Sequence, residues 1–220
     1  MKRELEPELM DDEEQAEAYA QADFSDGNSA FVARLRSAFP ELTAGDVVDL
    51  GCGPADIPIR LVRELPGLRV TAVDGSPAML ELARAAVDAA DLAQRIILHQ
   101  GFIPDRRLAD HSFQAVLANS LTHHIPSGLE FWREVARLGG SGAAVLVQDL
   151  FRPESPDEAR AIVERVSPHD PPVIKRDFFN SLCAALTVDE VRADLAAAGL
   201  TGIGCEQVSE RHWAAWGRLA

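Results

Sequence analysis

Short apolar bursts recur along this chain: VVDL (47–50), RVTAVD (69–74), RIILHQ (95–100), QAVLAN (114–119) and AAVLVQD (143–149). Each is rich in Val, Ile or Leu, and none alternates strictly between apolar and polar positions. Such runs predict strands buried on both faces, as in a parallel sheet covered by helices. Between the bursts the period lengthens. SPAMLELARAAVDAA (76–90) carries Met79, Ala83, Ala86, Val87 and Ala90 at helical spacing, with Ser76 placed to cap and Pro77 to open the helix. SGLEFWREVARL (127–138) repeats the pattern with Leu129, Trp132, Val135 and Ala136. Strand, helix, strand in this order predicts an α/β, Rossmann-like doubly wound sheet.

The two ends depart from that rhythm. Residues 8–39 read as one or two helices broken at FSDGNSA, the second carrying Phe31, Leu35 and Ala38 or Phe39. Residues 151–186 are Pro-rich and then helical, ending in RDFFNSLCAAL. TVDE (187–190) fits a capping box that starts a helix stopping at Gly199. IGCEQVSE and HWAAWGRL follow, joined too closely for a helical crossover, so they should pair antiparallel. No internal repeat or low-complexity linker divides the chain. The expectation is one domain over 1–220, with a helical cap over 1–40 and a helical insertion over 151–186 on the substrate side.

Composition narrows the partners. At 220 residues the chain can bury a core without disulfides or metal. Its 35 acidic against 21 basic side chains give a net charge of −14. That balance repels phosphate backbones, and Arg34/Arg36 and Arg106/Arg107 are isolated pairs, so nucleic acid is not an expected partner. Cys52, Cys183 and Cys205 lie far apart without CxxC spacing, and read as reduced thiols of a cytoplasmic protein. The start MKRELEPELMDDEEQ lacks the apolar core of a signal peptide, and its run Asp11–Glu14 reads as a solvated helix face. No apolar run approaches the roughly 18 residues of a membrane span. A monomer or homodimer is expected.

The chemistry concentrates where VVDL runs into GCGPAD. An apolar strand ends on a carboxylate, Asp49, and hands over to Gly51 and Gly53, which let backbone approach a ligand. The second burst ends on Asp74, whose carboxylate can accept hydrogen bonds from the two hydroxyls of a ribose. A dinucleotide fold would carry a third glycine, and would not place an anion beside pyrophosphate. Asp49 instead favours a cationic amino acid and a sulfonium, which points to S-adenosylmethionine.

These segments resemble the class I S-adenosylmethionine-dependent methyltransferases. VVDLGCGPA is similar to that family's first motif, VTAVDGSPAMLELAR to its second, and FQAVLANSLTHHIP to the segment around its fourth strand. FWREVARLGGSGAAVLVQDLFRP resembles the helix, turn and fifth strand that follow, and the likeness covers roughly residues 10–220. It implies a mostly parallel seven-stranded sheet in the order 3-2-1-4-5-7-6 with a C-terminal antiparallel hairpin. It also implies that Asp49, Gly51 and Gly53 face the methionine part of the cofactor, Asp74 the ribose, and Gly75 and Met79 the adenosine. Cys52 lies in the same loop as a small filler, and Asn119 and Ser120 close the loop after the fourth strand. Gly101 and Phe102 follow the third strand; Phe102 replaces a common acid, so adenine would pack on Phe102 or Ile103 and meet backbone. Ala55 stands where many members have a third glycine.

The acceptor side is less explicit. His123 and His124 follow the fourth strand, where one could act as general base; alternatively, one caps a helix and the other packs under the sheet. Asp149, ending the fifth strand, either orients substrate or accepts a proton, or else pairs with Arg152. Tyr19 and Phe24 either cover the cofactor pocket or serve as core contacts. Phe178 or Phe179 with Leu182 and Leu186 would either roof an apolar pocket or cover the sheet edge. Carboxylates around Asp149 are too few for an oxygen-ligand metal site, so no metal is expected. The leading expectation is methyl transfer to an O, N or C atom of a small molecule. The alternatives are a protein or peptide methyltransferase, a non-catalytic cofactor-binding module, and an NAD-dependent reductase, which Asp49 and the missing glycine disfavour.

Overall fold

A computed structural model describes residues 1–6 and 24–220. Helix α1 (Ser25–Ala38) precedes β1 (Ala44–Leu50), and α2 (Asp56–Glu64), β2 (Gly67–Asp74), α3 (Pro77–Ala89) and β3 (Ile96–Gln100) follow. Next come β4 (Phe113–Asn119), a single 3₁₀ turn (Thr122–His124), α4 (Gly128–Leu138) and β5 (Gly139–Leu150). Helices α5 (Pro156–Val166), α6 (Pro172–Ala184) and α7 (Val188–Ala197) lead to β6 (Ile203–Gln207) and β7 (His212–Arg218). The sheet order is β3-β2-β1-β4-β5-β7-β6. Strands β1 to β5 pair in parallel, and β7 runs antiparallel to both β5 and β6. The five bursts and the terminal hairpin are thus all present, in the expected order.

Both faces of the sheet are buried, which is why the bursts do not alternate in polarity. Along β1, Val47 packs with Phe31, Leu35, Leu61, Val62 and Ala83 from α1 to α3. Val48, one residue on, points to the other face and joins Trp132, Val135, Leu138, Val191 and Leu195 from α4 and α7. Val47, Val48, Trp132 and Leu61 are fully shielded from solvent. At roughly 1.5–3 kcal/mol per buried side chain, these two layers dominate the stability of the domain.

Local chemistry sets the helix starts. The hydroxyls of Ser76, Ser127 and Ser155 accept the backbone N–H of Met79, Glu130 and Glu158, each at 3.2 Å. Thr187 and Glu190 form the anticipated reciprocal capping box. Within FSDGNSA the helix start falls early: Phe24 is its N-cap and Ser25–Ala30 are the first residues of α1, while any helix before Phe24 lies outside the described residues. Asn28 at that end donates to Asp56 at 2.8 Å, and this tertiary contact outweighs the turn propensity of Asp-Gly-Asn. Residues between β5 and α7 form two helices, α5 and α6, sharing a small core of Leu150, Ala159, Ile162, Val163, Leu182 and Ala185. Phe151 and Leu186, at the two ends of this insertion, form a parallel β-bridge. Tyr19 and the run Asp11–Glu14 lie outside the described residues. Among those described, no helix is long and apolar enough to cross a membrane.

Candidate active site

A cavity of about 930 Å³ opens beyond the carboxyl ends of β1, β2 and β4. Its floor is the loop after β1. Gly51 and Gly53 have φ of +72° and +50°, and Ala55 also sits in the left-handed region at φ 66° as the residue before α2. The N–H groups of Gly51 and Cys52 both donate to the carbonyl of Val73, at 2.8 and 2.9 Å. The N–H of Gly53 donates to Asp74 Oδ2 at 2.8 Å, and that of Ser76 to Asp74 Oδ1 at 2.9 Å. The loop is therefore stitched to the tip of β2, which explains why glycines and an acid recur at this spacing. A Cβ on Gly51 would lie 2.8 Å from Leu121 Cδ1, so this glycine makes room for a side chain of the β4 loop. The sequence reading had put ligand in that volume. Gly53, by contrast, faces open space.

Asp49 is the electrostatic centre of this end. It is 1 % exposed, lines the cavity, and neither carboxylate oxygen has a hydrogen-bond partner. Burial, with the neighbouring charge of Asp74, raises its pKa to about 8. A buried carboxylate without donors costs several kcal/mol unless a cation meets it. The donor set fits a ligand bearing positive charge, such as the sulfonium and ammonium of S-adenosylmethionine. Burial and the charges of Asp49 and Asp74 push the Cys52 thiol well up, which suits a filler and not a nucleophile. Gly75, Met79, Gly101, Phe102, Asn119 and Ser120 line the same cavity. Gln148 holds the Asn119 side chain at 3.2 Å. Phe102 and Ile103 are presented by a loop that a buried network secures. Asp105 binds His99 at 2.9 Å and Arg107 at 2.6 Å, and its N–H donates to Glu134, which Arg137 also grips.

The opposite end gathers residues from the 3₁₀ turn, the insertion and the β6–β7 turn. His123 and His124 both line it. His123 Nδ1 lies 2.7 Å from Asp149 Oδ1, while Thr122 Oγ1 and the His123 N–H donate to Asp149 Oδ2 at 2.7 and 3.2 Å. Burial opposes charge on His123, but Asp149 outweighs it and raises its pKa. Burial and the neighbouring His123 lower His124 to about 3, so His124 is neutral at pH 7. Against both sequence expectations, Asp149 does not line the cavity and does not pair with Arg152. It stands behind His123, and Arg152 pairs with Glu190 at 2.6 Å.

The roof is also split. Phe178, Ile174, Asp177 and Ser181 of α6 face the cavity, with the Arg211 guanidinium 5.6 Å from the Phe178 ring. Phe179 turns away toward Arg160 of α5, and Leu186 lies beyond the helix end in the main core. Phe24 lines the cavity at its α1 edge. The sequence reading missed Glu6, whose side chain is 9 % exposed and which accepts from Ser181 Oγ at 3.0 Å. It also missed Arg3, which donates to the carbonyls of Thr122, Ile125 and Ala184 at 3.1, 2.9 and 2.6 Å. Their only signal was an acidic, surface-like N-terminal stretch.

Comparison with known proteins agrees with this geometry. A family model described as a methyltransferase domain matches residues 47–142. The chain is 29 % identical over 188 residues to 27-O-demethylrifamycin SV methyltransferase of Amycolatopsis mediterranei, covering 85 % of this chain and 65 % of that protein. It is 38 % identical over 97 residues to trans-aconitate 2-methyltransferase of Paracidovorax citrulli, covering 42 % and 37 %. This chain therefore spans less than two thirds of the length of either relative. A solved SAM-dependent methyltransferase from Aquifex aeolicus shares the fold with a TM-score of 0.69 at 16 % identity, over 93 % of this chain and 98 % of that one. Residues 47–142 thus match a methyltransferase domain, and the motifs and sheet order resemble those of the class I S-adenosylmethionine-dependent methyltransferases.

Proposed function

We propose that this protein binds S-adenosylmethionine across the β1, β2 and β4 loops and methylates an O, N or C atom of a small-molecule acceptor. The observation that carries the reading is Asp49: a buried, unpartnered carboxylate facing a glycine loop in a cavity deep enough for two ligands. Bound there, the cofactor supplies an electrophilic methyl group on a positively charged sulfur. Asp49 balances that charge, Asp74 holds the ribose, and Gly51, Cys52 and Gly53 offer backbone at close range. Gly75, Met79, Gly101 and Phe102 take the adenine side; Asn119 and Ser120 close the loop between cofactor and acceptor.

His123 and His124, with Asp149 behind, form the polar wall of the acceptor end and govern the acceptor's ionisation. Phe178, Ile174 and Ile125 supply an apolar roof and wall there. An acceptor of modest size and mixed polarity suits such an enclosure, and the net charge of −14 opposes a polynucleotide. The chain's part in the reaction is to align two ligands and exclude water. The names of the two relatives, which specify 27-O-demethylrifamycin SV and trans-aconitate, support the small-molecule reading.

Titration with S-adenosylmethionine, S-adenosylhomocysteine and NAD tests the cofactor assignment, and a screen of metabolite pools with methyl-labelled cofactor tests transfer. Binding of the first two without NAD is expected. Tight NAD binding alone would overturn the proposal, and cofactor binding without transfer to any pool would reduce the chain to a binding module.

A further inference from the structure

Three side chains at the acceptor end converge in a way that neither the cofactor nor the fold requires. Glu6, His123 and His124 each offer one ligand atom, and these atoms lie within 4.8 Å of one another. Glu6 Oε2 and His124 Nδ1 are 3.7 Å apart, too far for a hydrogen bond and close to the roughly 3.3 Å edge of a tetrahedron with metal–ligand bonds near 2.0–2.1 Å. His124 Nδ1 is buried and has no hydrogen-bond partner. The side chains of Glu6 and His123 are only 9 % and 5 % exposed, so this is not a solvated acidic cluster.

The surroundings match a ligand set. His123 gives its Nδ1 to Asp149 at 2.7 Å, which leaves Nε2 as the free ring nitrogen. A carboxylate behind a histidine, fixing its tautomer and orientation, is the usual outer support of a metal-bound imidazole. Asp149 is itself held by Thr122 Oγ1 and by the Leu150 N–H, both at 2.7 Å. Ser181 Oγ fixes Glu6 at 3.0 Å, and Arg3 binds the carbonyls of the turn that carries both histidines. The candidate ligands are thus held in place by hydrogen bonds from neighbouring groups. The chemistry of two imidazoles and one carboxylate suits first-row transition cations and not magnesium or calcium.

We propose that Glu6, His123 and His124 bind a divalent transition-metal ion at the acceptor end of the cavity, with Asp149 orienting His123. Three protein ligands leave a coordination position for water or for an acceptor heteroatom, which the ion would hold and polarise. That use rests on the methyl-transfer reading above; the site itself does not. The expectation from sequence that no metal binds considered only oxygen ligands near Asp149, and Glu6 was not visible as a partner.

The test is direct. Protein dialysed against chelator is titrated with Zn(II) by calorimetry and with Co(II) while the visible ligand-field absorption is followed, and S-adenosylmethionine binding is measured on the same samples. One equivalent of Zn(II) and a Co(II) spectrum of low coordination number are expected. Glu6→Gln and His124→Ala should each lower Zn(II) affinity at least tenfold, and Asp149→Asn by about 10–100-fold. Wild-type protein that binds the cofactor but takes up no stoichiometric Zn(II) or Co(II) would overturn the metal site and leave the functional reading standing. Metal uptake unchanged in both Glu6→Gln and His124→Ala would equally overturn it. If a variant fails to fold, the wild-type titration and spectrum still decide.

Discussion

The raised pKa of Asp49 makes cofactor binding a proton-linked event. In the ligand-free chain the carboxyl has a pKa of about 8 against an ordinary 3.8, because burial and Asp74 disfavour its charge. The folded state therefore holds a proton that the unfolded state has released. The contribution of Asp49 to ligand-free stability is fully present below about pH 4 and is lost as pH rises through about 8, at no more than about 1.4 kcal/mol per unit. A cationic ligand reverses the preference. One cation within about 4–6 Å lowers a carboxyl pKa by 1–3 units, and the cofactor brings both a sulfonium and an ammonium. With the bound value at or below about 6, binding at pH 7 expels most of one proton. Affinity should then rise about five- to eightfold per unit between about pH 6 and 7.5, below the range near 7.7–8.0 where an α-amino group titrates. Calorimetry in buffers of different ionisation enthalpy measures both the slope and the proton count. S-Adenosylhomocysteine, which lacks the sulfonium, should show a shallower slope. Asp49→Asn should flatten the profile and weaken S-adenosylmethionine about tenfold or more at pH 7.5. A flat wild-type profile without proton release, or an Asn variant that keeps the slope, would refute the reasoning.

Three further outcomes check other parts of the structure. Gly51→Val should abolish cofactor binding, since its Cβ meets Leu121 at 2.8 Å and its φ of +72° resists a branched residue; Ala55→Gly, at φ 66°, should leave affinity unchanged and melting temperature equal or slightly higher. Phe178→Ala should raise the acceptor KM without changing cofactor affinity, whereas Phe179→Ala, which faces α5, should lower stability alone; steady-state kinetics and thermal unfolding separate the two. Thr187→Ala removes the reciprocal cap of α7 and should cost about 1 kcal/mol in denaturant unfolding, with kinetics intact.

What could be read from the sequence follows from how local each signal is. The strands were legible because Val47 and Val48 must both be buried, one on each face, and this produces the unbroken apolar runs. The glycine-loop end of the cavity was legible because Asp49, Gly51, Gly53 and Asp74 sit on two consecutive strand ends, so short spacing brings them to one place. The acceptor end was not, since its contacts join distant segments. Glu6 meets His124 and Ser181, and Asp149 meets His123 across neighbouring strands. A carboxylate near the chain start looks the same in sequence whether it is solvated or buried against a histidine. How early in FSDGNSA the helix starts was not legible for the same reason: Asn28 binds Asp56, a partner that local propensity does not see. Phe178 and Phe179 are adjacent in sequence, and only the packing of α6 on α5 decides which of them faces the cavity.

The bridge between Phe151 and Leu186 bears on how such a domain can change its substrate. The segment between them carries α5 and α6, hence Phe178 and much of the cavity roof, yet its two ends lie side by side, and Arg152 also donates to the Leu186 carbonyl at 3.3 Å. Closing a loop whose ends already touch costs an entropy that grows only with the logarithm of its length, about 0.6 kcal/mol for each doubling. The roof can therefore lengthen, shorten or be exchanged for another sequence while the strands beneath keep their register. On the proposed function, acceptor choice would sit in an exchangeable cassette, while the glycine-loop end of the cavity is written into strand ends that cannot move without the sheet.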